Sequence, residues 1–332
     1  MVSSVQLSYA IGVLLAHIGV ASSQAISYDY TRSGVDWPGV CQTGKRQSPI
    51  NLVSGTETFL QDYPPALRPN LDFGTGTNVQ VINTGRYFEV VWKTLRPPTA
   101  TITLGSLFGQ PNHVGPGVIG PSGSLIPGNG EDRIPLTPVQ WHMHTPSEHS
   151  MDGKLSLIEA HLVTSVSNVS VPACGTGCFA VYGVLYDIAP DTTLSNTFLT
   201  PFLSDLPEQI GEEYATNFTS DFVLDFADYF PLDTKGFVSY PGSLTTPPCT
   251  ENVLWTVLLS NPAVSVSQVV TLANAAAATV RPLQCRPVPA SELDLEQSLQ
   301  PIGTYQVCTQ QGQRDNDRFP QPTYGRPVFG YS

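Results

Sequence analysis

Three histidines are spaced so that they can converge on one metal ion. His142 and His144 lie two positions apart in a strand-like run, so their side chains share one face. His161 lies in a second strand-like run, two positions after Glu159. If the two strands pair, three imidazoles meet at one point, and three neutral imidazoles suit zinc. Three protein ligands leave a fourth tetrahedral position open for water, which is typical of a catalytic zinc site.

Two polar neighbours fit the role of orienting these ligands. Gln140 precedes His142 by two positions and Glu159 precedes His161 by two, so each shares a face with its histidine. Such partners fix the tautomer and the orientation of a ligand imidazole. A histidine pair on a strand is, however, more often only a polar face or a structural pair. Spacing by itself leaves both interpretations open.

The elements that must position these residues are mainly β-strands. Runs rich in β-branched and aromatic residues, bounded by Gly, Pro, Asn or Asp, predict strands at 79–91, 139–144, 155–163, 179–186 and 253–259. An Ala-rich apolar stretch at 267–278 predicts a helix. Residues 105–132 are rich in Gly and Pro and predict a long loop. With no linker inside it, 26–285 is expected to be one domain, followed by a Pro/Gln-rich C-terminal extension over 286–332.

Composition and the N-terminal segment limit the partners and the compartment. The formal net charge of −12 repels phosphate backbones, so we expect no nucleic-acid partner. An apolar run followed by small residues predicts a secretory signal over 1–25, cleaved after Ala21 or Ala25. That run is shorter than the about 20 apolar residues that span a bilayer. We therefore expect a secreted, extracellular protein without a membrane anchor, glycosylated at Asn168 and Asn217.

The even number of cysteines favours disulfides in an oxidising compartment. The six are Cys41, Cys174, Cys178, Cys249, Cys285 and Cys308. Cys174 and Cys178 have a metal-like spacing, but no second close pair completes four ligands. Spacing alone does not choose among the possible disulfide pairings.

Several motifs, taken together and in order, resemble the alpha-class carbonic anhydrases. They run from about Tyr28 to Gln284 and are Gln47-Ser48-Pro49-Ile50-Asn51, Gln140-Trp-His142-Met-His144, Ser147-Glu148-His149, Glu159-Ala-His161-Leu-Val163, Tyr240-Pro-Gly-Ser-Leu244-Thr245-Thr246-Pro-Pro248, Trp255 and Arg281-Pro-Leu-Gln284. The resemblance implies a mainly β, single-domain fold. Its central sheet is expected to be twisted and mostly antiparallel, with about ten strands and a few short helices.

The resemblance also implies roles for the polar residues of the site. His142, His144 and His161 become the zinc ligands. The Thr245 hydroxyl is expected to donate a hydrogen bond to Glu148. Thr245 must then accept a hydrogen bond from zinc-bound hydroxide, which directs that hydroxide at carbon dioxide.

The remaining site residues follow from the same resemblance. His149 matches a structural histidine bonded to the Glu159 network, not a fourth ligand. Tyr30 and Thr246 match polar groups that hold the water of the cleft. The substrate pocket is expected from Thr246 together with the apolar residues Val163, Val181, Leu244, Val253 and Trp255.

The resemblance also implies a disulfide pairing. Cys41 and Cys249 match the disulfide of secreted members, which braces the loop at Thr245. For the others we then expect Cys174–Cys178 and Cys285–Cys308.

The implied activity is the reversible hydration of carbon dioxide to bicarbonate and a proton, by attack of zinc-bound hydroxide. The cofactor is Zn²⁺, the reactants are carbon dioxide, bicarbonate and water, and a secondary esterase activity is expected. The alternative is a non-catalytic binding module on the same fold. Such modules typically lose a zinc ligand or the Thr–Glu pair, whereas this chain keeps all five residues.

The first prediction concerns proton export, because the family's proton-shuttle histidine matches Arg86 in this chain. Arginine stays protonated at any usable pH, so Arg86 cannot accept and release the proton. We expect turnover to rise with the concentration of an imidazole-type buffer. Arg86→His should raise kcat at low buffer with little change in kcat/KM, because only the export step changes. Stopped-flow hydration at several buffer concentrations measures both quantities.

His113, in the predicted loop, is the histidine that decides this test. It has no other assigned role, and a loop histidine is usually only exposed. Low-buffer turnover that is already buffer-independent, and that collapses in His113→Ala, would make His113 the shuttle instead.

Overall fold

A computed structural model gives the fold of the chain. It describes residues 28, 30, 32–55, 58–59, 70–103, 117–119, 125–127, 133–166, 178–188, 194–230, 236–280, 284–288, 305–309, 317–324 and 328–331. For 58–59, 117–119, 125–127, 277–280, 284–288, 305–309 and 329–331 only the backbone is described. The predicted signal, His113, Asn168 and Cys174 lie outside the described residues.

Most of the regular secondary structure in the described chain is strand. The strands are β1 (Asn51–Leu52), β2 (Thr58–Phe59), β3 (Thr75–Asn83), β4 (Phe88–Leu95), β5 (Thr101–Thr103), β6 (Gly117–Ile119), β7 (Leu125–Pro127), β8 (Arg133–His144), β9 (Ser150–Met151), β10 (Lys154–Leu155), β11 (Ile158–Val166), β12 (Cys178–Ile188), β13 (Thr216–Asn217), β14 (Val223–Asp225), β15 (Phe237–Gly242), β16 (Val253–Leu258), β17 (Ala263–Val264), β18 (Gln284–Val288), β19 (Tyr305–Thr309) and β20 (Phe329–Tyr331).

The helices of the described chain are few. They are α1 (Val40–Thr43), α2 (Thr200–Leu203), α3 (Val266–Val280) and the 3₁₀ turns Glu212–Tyr214 and Phe226–Tyr229. The helix expected at 267–278 is present as α3. Its start is fixed by Ser265, whose hydroxyl accepts a hydrogen bond from the Gln268 backbone N–H at 3.3 Å.

One large sheet of 13 strands organises the molecule, with the main order β13-β3-β4-β8-β11-β12-β16-β15-β20-β2. Most neighbours are antiparallel, and the parallel pairs are β12–β16, β12–β17 and β2–β20. The predicted mainly β class is therefore confirmed. Alternating side chains of β12 enter two cores, one around Tyr182 and Val184 and a smaller one around Val181 and Trp255.

The prediction of one strand over residues 79–91 is wrong, because this stretch is a hairpin of β3 and β4. The turn between them holds Gly85 at φ 79°, a conformation that glycine adopts without a steric penalty. The Thr84 hydroxyl accepts hydrogen bonds from the backbone N–H groups of Arg86 and Tyr87, which closes the turn. Arg86 consequently lies at the tip of a hairpin.

The register of the central strands brings the candidate ligands together. In the antiparallel pair β8–β11, His161 lies opposite His142, and Glu159 lies opposite His144. Directly opposed residues project to the same face of a sheet. Strand pairing therefore gathers on one face the residues that were apart in sequence.

Part of the expected C-terminal extension is built into the domain. Strand β20 pairs with both β15 and β2 in the large sheet. Gln321 forms a parallel bridge with Ile50, and Val328 packs against the smaller core. Residues 286–332 were expected to follow the domain, but those between 317 and 331 that are described complete its sheet and its packing.

A disulfide joins Cys41 of α1 to Cys249, across 208 residues of sequence. Both side chains are buried beside Tyr30 and Trp37. The bond ties the N-terminal segment to the loop that carries Thr245. A chain constraint of this length acts mainly on the unfolded state.

Removal of this disulfide is the second prediction. The double variant Cys41→Ser/Cys249→Ser should lose up to about 4–5 kcal/mol of unfolding free energy, since the closed loop is long. Denaturant unfolding of the variant and of the native chain measures the difference. An unchanged transition midpoint would show that the crosslink contributes nothing to stability.

Candidate active site and metal centre

The three predicted ligands meet on the face of β8 and β11. One nitrogen each of His142, His144 and His161 lies within 4.8 Å of the others. All three side chains are buried. The ring centroids lie 4.8 to 5.0 Å apart, so the rings surround one small volume.

Hydrogen bonds at the outer nitrogens fix two of the rings. His142 Nδ1 lies 2.7 Å from Gln140 Oε1, and His161 Nε2 lies 2.7 Å from Glu159 Oε1. Both oxygens are acceptors, so each outer nitrogen carries the proton. The inner nitrogens, Nε2 of His142 and Nδ1 of His161, then present lone pairs. Both sequence-predicted orienting residues thus contact the histidines they were expected to contact.

This arrangement fits a divalent cation. The inner nitrogens of His142 and His161 are 3.2 Å apart, and two lone pairs that face each other repel. A cation coordinated by both converts that repulsion into attraction. Burial lowers the pKa of His142 well below its usual value, and burial also lowers the pKa of His161. Neutral imidazoles are the form that binds a metal.

The Glu159 carboxylate is the centre of a second, fully buried network. Its Oε1 accepts from His161 and also from His149 Nδ1 at 2.7 Å. Its Oε2 accepts from the backbone N–H groups of Glu148 and His149 at 2.9 and 2.7 Å. Burial alone would raise the pKa of Glu159, but His149 and His161 hold it well below the usual value.

His149 belongs to this network and not to the metal triad. His149, Glu159 and His161 also lie close enough to hold an ion, but their atoms are already joined by short hydrogen bonds. His149 Nε2 lies 2.6 Å from the Tyr240 hydroxyl oxygen, which in turn lies 3.0 Å from Ser48 Oγ. The histidine therefore connects the ligand strands to β15 and the N-terminal segment.

Glu148 lies on the other side of the triad. Its Oε2 is 3.5 Å from His144 Nε2 and 4.0 Å from His161 Nδ1. Burial raises the pKa of Glu148 to about 8, against the lowering effects of His161 and of a hydrogen bond from the Thr245 side chain. The structure thus brings the predicted pair, Thr245 and Glu148, together beside the imidazoles.

The predicted apolar pocket residues form one cluster beside the triad. The smaller core contains Val163, Val181, Val253 and Trp255, and Leu244 packs against this core. The Trp255 ring centroid lies 4.7 Å from that of His161. Apolar surface therefore reaches the histidine triad directly.

On the side of the β3–β4 hairpin, Tyr87 contacts the triad, and Arg86 packs on a further aromatic ring. The Tyr87 ring lies 4.7 Å from the His142 ring. The Arg86 guanidinium lies 4.0 Å above the Tyr28 ring, and the Tyr28 side chain hydrogen-bonds Thr246. Tyr30 is buried close to Tyr28, with ring centroids 6.1 Å apart.

Sequence reasoning missed Glu89 and Arg318. Glu89 lies opposite His142 in the β4–β8 pair, and burial with the nearby Glu212 raises its pKa to about 7. The only sequence signal for Glu89 is a charge within an apolar strand. For Arg318 the signal was ambiguous, because arginine with a following proline and glutamine occurs both at 281–284 and at 318–321.

The other predicted positions are placed as follows. Asn217 is exposed on β13. Cys178 is disulfide-bonded, and its partner is not among the described side chains. Cys285 and Cys308 are opposite each other in the β18–β19 pair. These glycan and remaining disulfide assignments stay predictions.

Comparisons with known proteins identify the family of the chain. The eukaryotic-type carbonic anhydrase family model matches residues 136–331. Alpha carbonic anhydrase 3 of Arabidopsis thaliana is 28% identical over 244 residues, which cover 71% of this chain and 68% of the relative. Carbonic anhydrase 6 of Mus musculus is 37% identical over 134 residues, covering 39% of this chain and 40% of the relative.

A solved structure shows the same fold. Carbonic anhydrase Cah3 from Chlamydomonas reinhardtii, in complex with acetazolamide, matches with a TM-score of 0.57. The match covers 94% of this chain and 99% of that one, at 23% sequence identity. At this sequence identity, the structural similarity supports a shared fold and nothing further.

The chain belongs to the eukaryotic-type, alpha-class carbonic anhydrases. These enzymes are lyases that hydrate carbon dioxide reversibly to bicarbonate, and the family is zinc-dependent in general. Among the described residues, no helix has the length and apolar character required to cross a bilayer.

The metal centre generates the third prediction. His144→Ala should lose tight zinc binding and nearly all hydration, because two imidazoles hold the ion poorly. His149→Ala should keep stoichiometric zinc but unfold at a lower temperature, because it leaves buried partners unsatisfied. Elemental analysis and thermal unfolding of both variants separate the two roles. Zinc and full activity in His144→Ala would end the ligand assignment.

Proposed function

We propose that this chain holds Zn²⁺ with His142, His144 and His161 and uses it to hydrate carbon dioxide. The observation that carries the proposal is the pair of inward-facing lone pairs 3.2 Å apart, with Gln140 and Glu159 fixing both rings from outside. Zinc bound there supplies a positive charge that makes water a nucleophile at neutral pH, as is general for carbonic anhydrases.

Thr245 and Glu148 are proposed to orient the nucleophile. A buried carboxylate beside the Thr245 hydroxyl accepts its proton in a hydrogen bond. The threonine oxygen can then only accept from a group on the metal side, which fixes the direction of the attacking lone pair. A cation at the imidazoles favours the ionised form of Glu148, against the effect of its burial.

The apolar cluster around Val181 and Trp255 is proposed to receive carbon dioxide. The substrate is small, uncharged and nonpolar, so a wall of Val, Leu and Trp holds it without displacing favourable hydrogen bonds. The Trp255 indole nitrogen donates to the Ser243 carbonyl oxygen at 2.8 Å, which keeps the ring edge satisfied and its face apolar. A secondary activity on activated esters follows from the same nucleophile.

The alternative of a binding module is disfavoured by the same geometry. All three imidazoles and the Thr245–Glu148 pair are kept and brought together.

Secretion is proposed from the N-terminal segment, and the Cys41–Cys249 disulfide supports it, because such bonds persist in oxidising compartments.

Metal analysis with stopped-flow hydration tests the proposal. We expect about one zinc per chain, loss of hydration and a lower unfolding temperature on chelation, and recovery of both on adding zinc. A zinc-free, inactive but equally stable protein would favour the binding module.

The fourth prediction tests the orienting pair. Thr245→Val should retain zinc but lose about 10²–10³ in kcat/KM, the usual loss for a preorganised polar group. Thr250→Val, at a half-buried threonine of the same loop with no assigned role, is the matched control and should lose much less. Equal losses in the two variants would contradict the special role of Thr245.

A further inference from the structure

We infer that Arg86 sets the affinity of the site for the anionic reactant, bicarbonate, because its guanidinium is held over Tyr28 beside the residues that carry the proposed chemistry. The inference rests on the proposed function, since bicarbonate is the product of carbon dioxide hydration. It gives a role to a side chain that, as an arginine, cannot carry the proton.

The guanidinium of Arg86 is held in place by its neighbours. It lies 4.0 Å from the centroid of the Tyr28 ring, and the two side chains are also hydrogen-bonded. The turn that carries it is fixed as well. The Thr84 hydroxyl accepts from the Arg86 backbone N–H at 3.3 Å, and a Cβ atom on Gly85 would lie 3.0 Å from Ile210 Cδ1. Stacking on an aromatic ring holds a guanidinium without neutralising its charge.

Two contacts connect this cation to the proposed site. Tyr28 hydrogen-bonds the side chain of Thr246, the residue after Thr245. The residue after the arginine, Tyr87, has its ring 4.7 Å from the His142 ring. The cation is thus one side chain away from the Thr245 loop and one residue away from a contact of the triad.

The charge of Arg86 acts on the tyrosines around the site. Burial raises the pKa of Tyr28, Tyr30 and Tyr87, and the positive charge of Arg86 lowers the pKa of each. The charge of Glu148 raises the pKa of the same three groups. The cation and the carboxyl group beside the triad therefore share one set of neighbours, and both determine the electrostatic potential there.

The two reactants respond differently to a fixed positive charge. Carbon dioxide is uncharged, whereas bicarbonate carries a negative charge that the chain as a whole, at a net charge of −12, repels. Arg86 is half-buried, so water and salt screen its charge less than that of an exposed residue. A planar guanidinium also matches the paired oxygens of an oxyanion such as bicarbonate. Arg86 therefore favours the anion, and the apolar cluster receives carbon dioxide.

Anion binding to the zinc-loaded protein tests the inference. Isothermal titration calorimetry with azide, a monovalent anion, measures a Kd independently of turnover. Arg86→Gln should raise this Kd about three- to tenfold, the effect of one partly screened charge, and the difference should shrink as ionic strength rises. The KM for bicarbonate in dehydration, measured at saturating buffer, should rise by a similar factor. Lys93→Gln removes an equal charge from an exposed position on β4 and is the matched control, expected to keep the native Kd.

The outcomes separate the inference from the proposed function. A native azide Kd in Arg86→Gln would overturn the inference, and so would an equal loss of affinity in Lys93→Gln, because net charge alone would then explain the effect. Arg86→Lys keeps the charge and should retain most of the azide affinity, so a loss as large as that of Arg86→Gln would also contradict the inference. A native protein that binds zinc and azide but does not hydrate carbon dioxide would instead overturn the proposed function.

Discussion

A carboxylate withdrawn completely from water must have its charge balanced and its lone pairs filled, and Glu159 meets both conditions. It accepts four hydrogen bonds, two from imidazoles and two from consecutive backbone N–H groups. These bonds set the ring orientation of His161, and they set the chain direction at Glu148 and His149. Loss of this one charge would release the His161 ring, the turn after β8 and the contact to β15 together.

The sheet and the loops contribute differently to the site. Strands β8 and β11 give the three imidazoles their spacing, because the hydrogen-bonded register of paired strands fixes the distances between opposed side chains. Thr245, Glu148 and Arg318 lie outside the strands and depend on side-chain hydrogen bonds for their positions. The Cys41–Cys249 disulfide and the contacts of Gln47 and Ser48 supply that constraint from the N-terminal segment.

The surroundings of the triad combine two kinds of chemistry. The smaller core brings apolar side chains up to His161 through Trp255. On the side of the β3–β4 hairpin, Tyr87 contacts His142, and the Arg86 guanidinium lies over the Tyr28 ring. An apolar surface beside a polar, charged surface suits a reaction whose substrate, carbon dioxide, is nonpolar and whose product, bicarbonate, is an anion.

Much of the site and the family could be predicted from the sequence alone, because the patterns that indicate them are local. A period of two along a strand places His142, His144 and Gln140 on one face whatever the rest of the chain does, and the ordered motifs identified the family. Tertiary structure decided what depends on distant partners. The run at 79–91 had the composition of one strand, and the Thr84–Gly85 turn that makes it a hairpin is a local signal that its apolar composition obscured. Arg318 is one of four arginines in the Pro/Gln-rich C-terminal stretch over 286–332. Its burial against Gln47, Ser48 and Cys41 is set by contacts across some 270 residues, which no local pattern encodes.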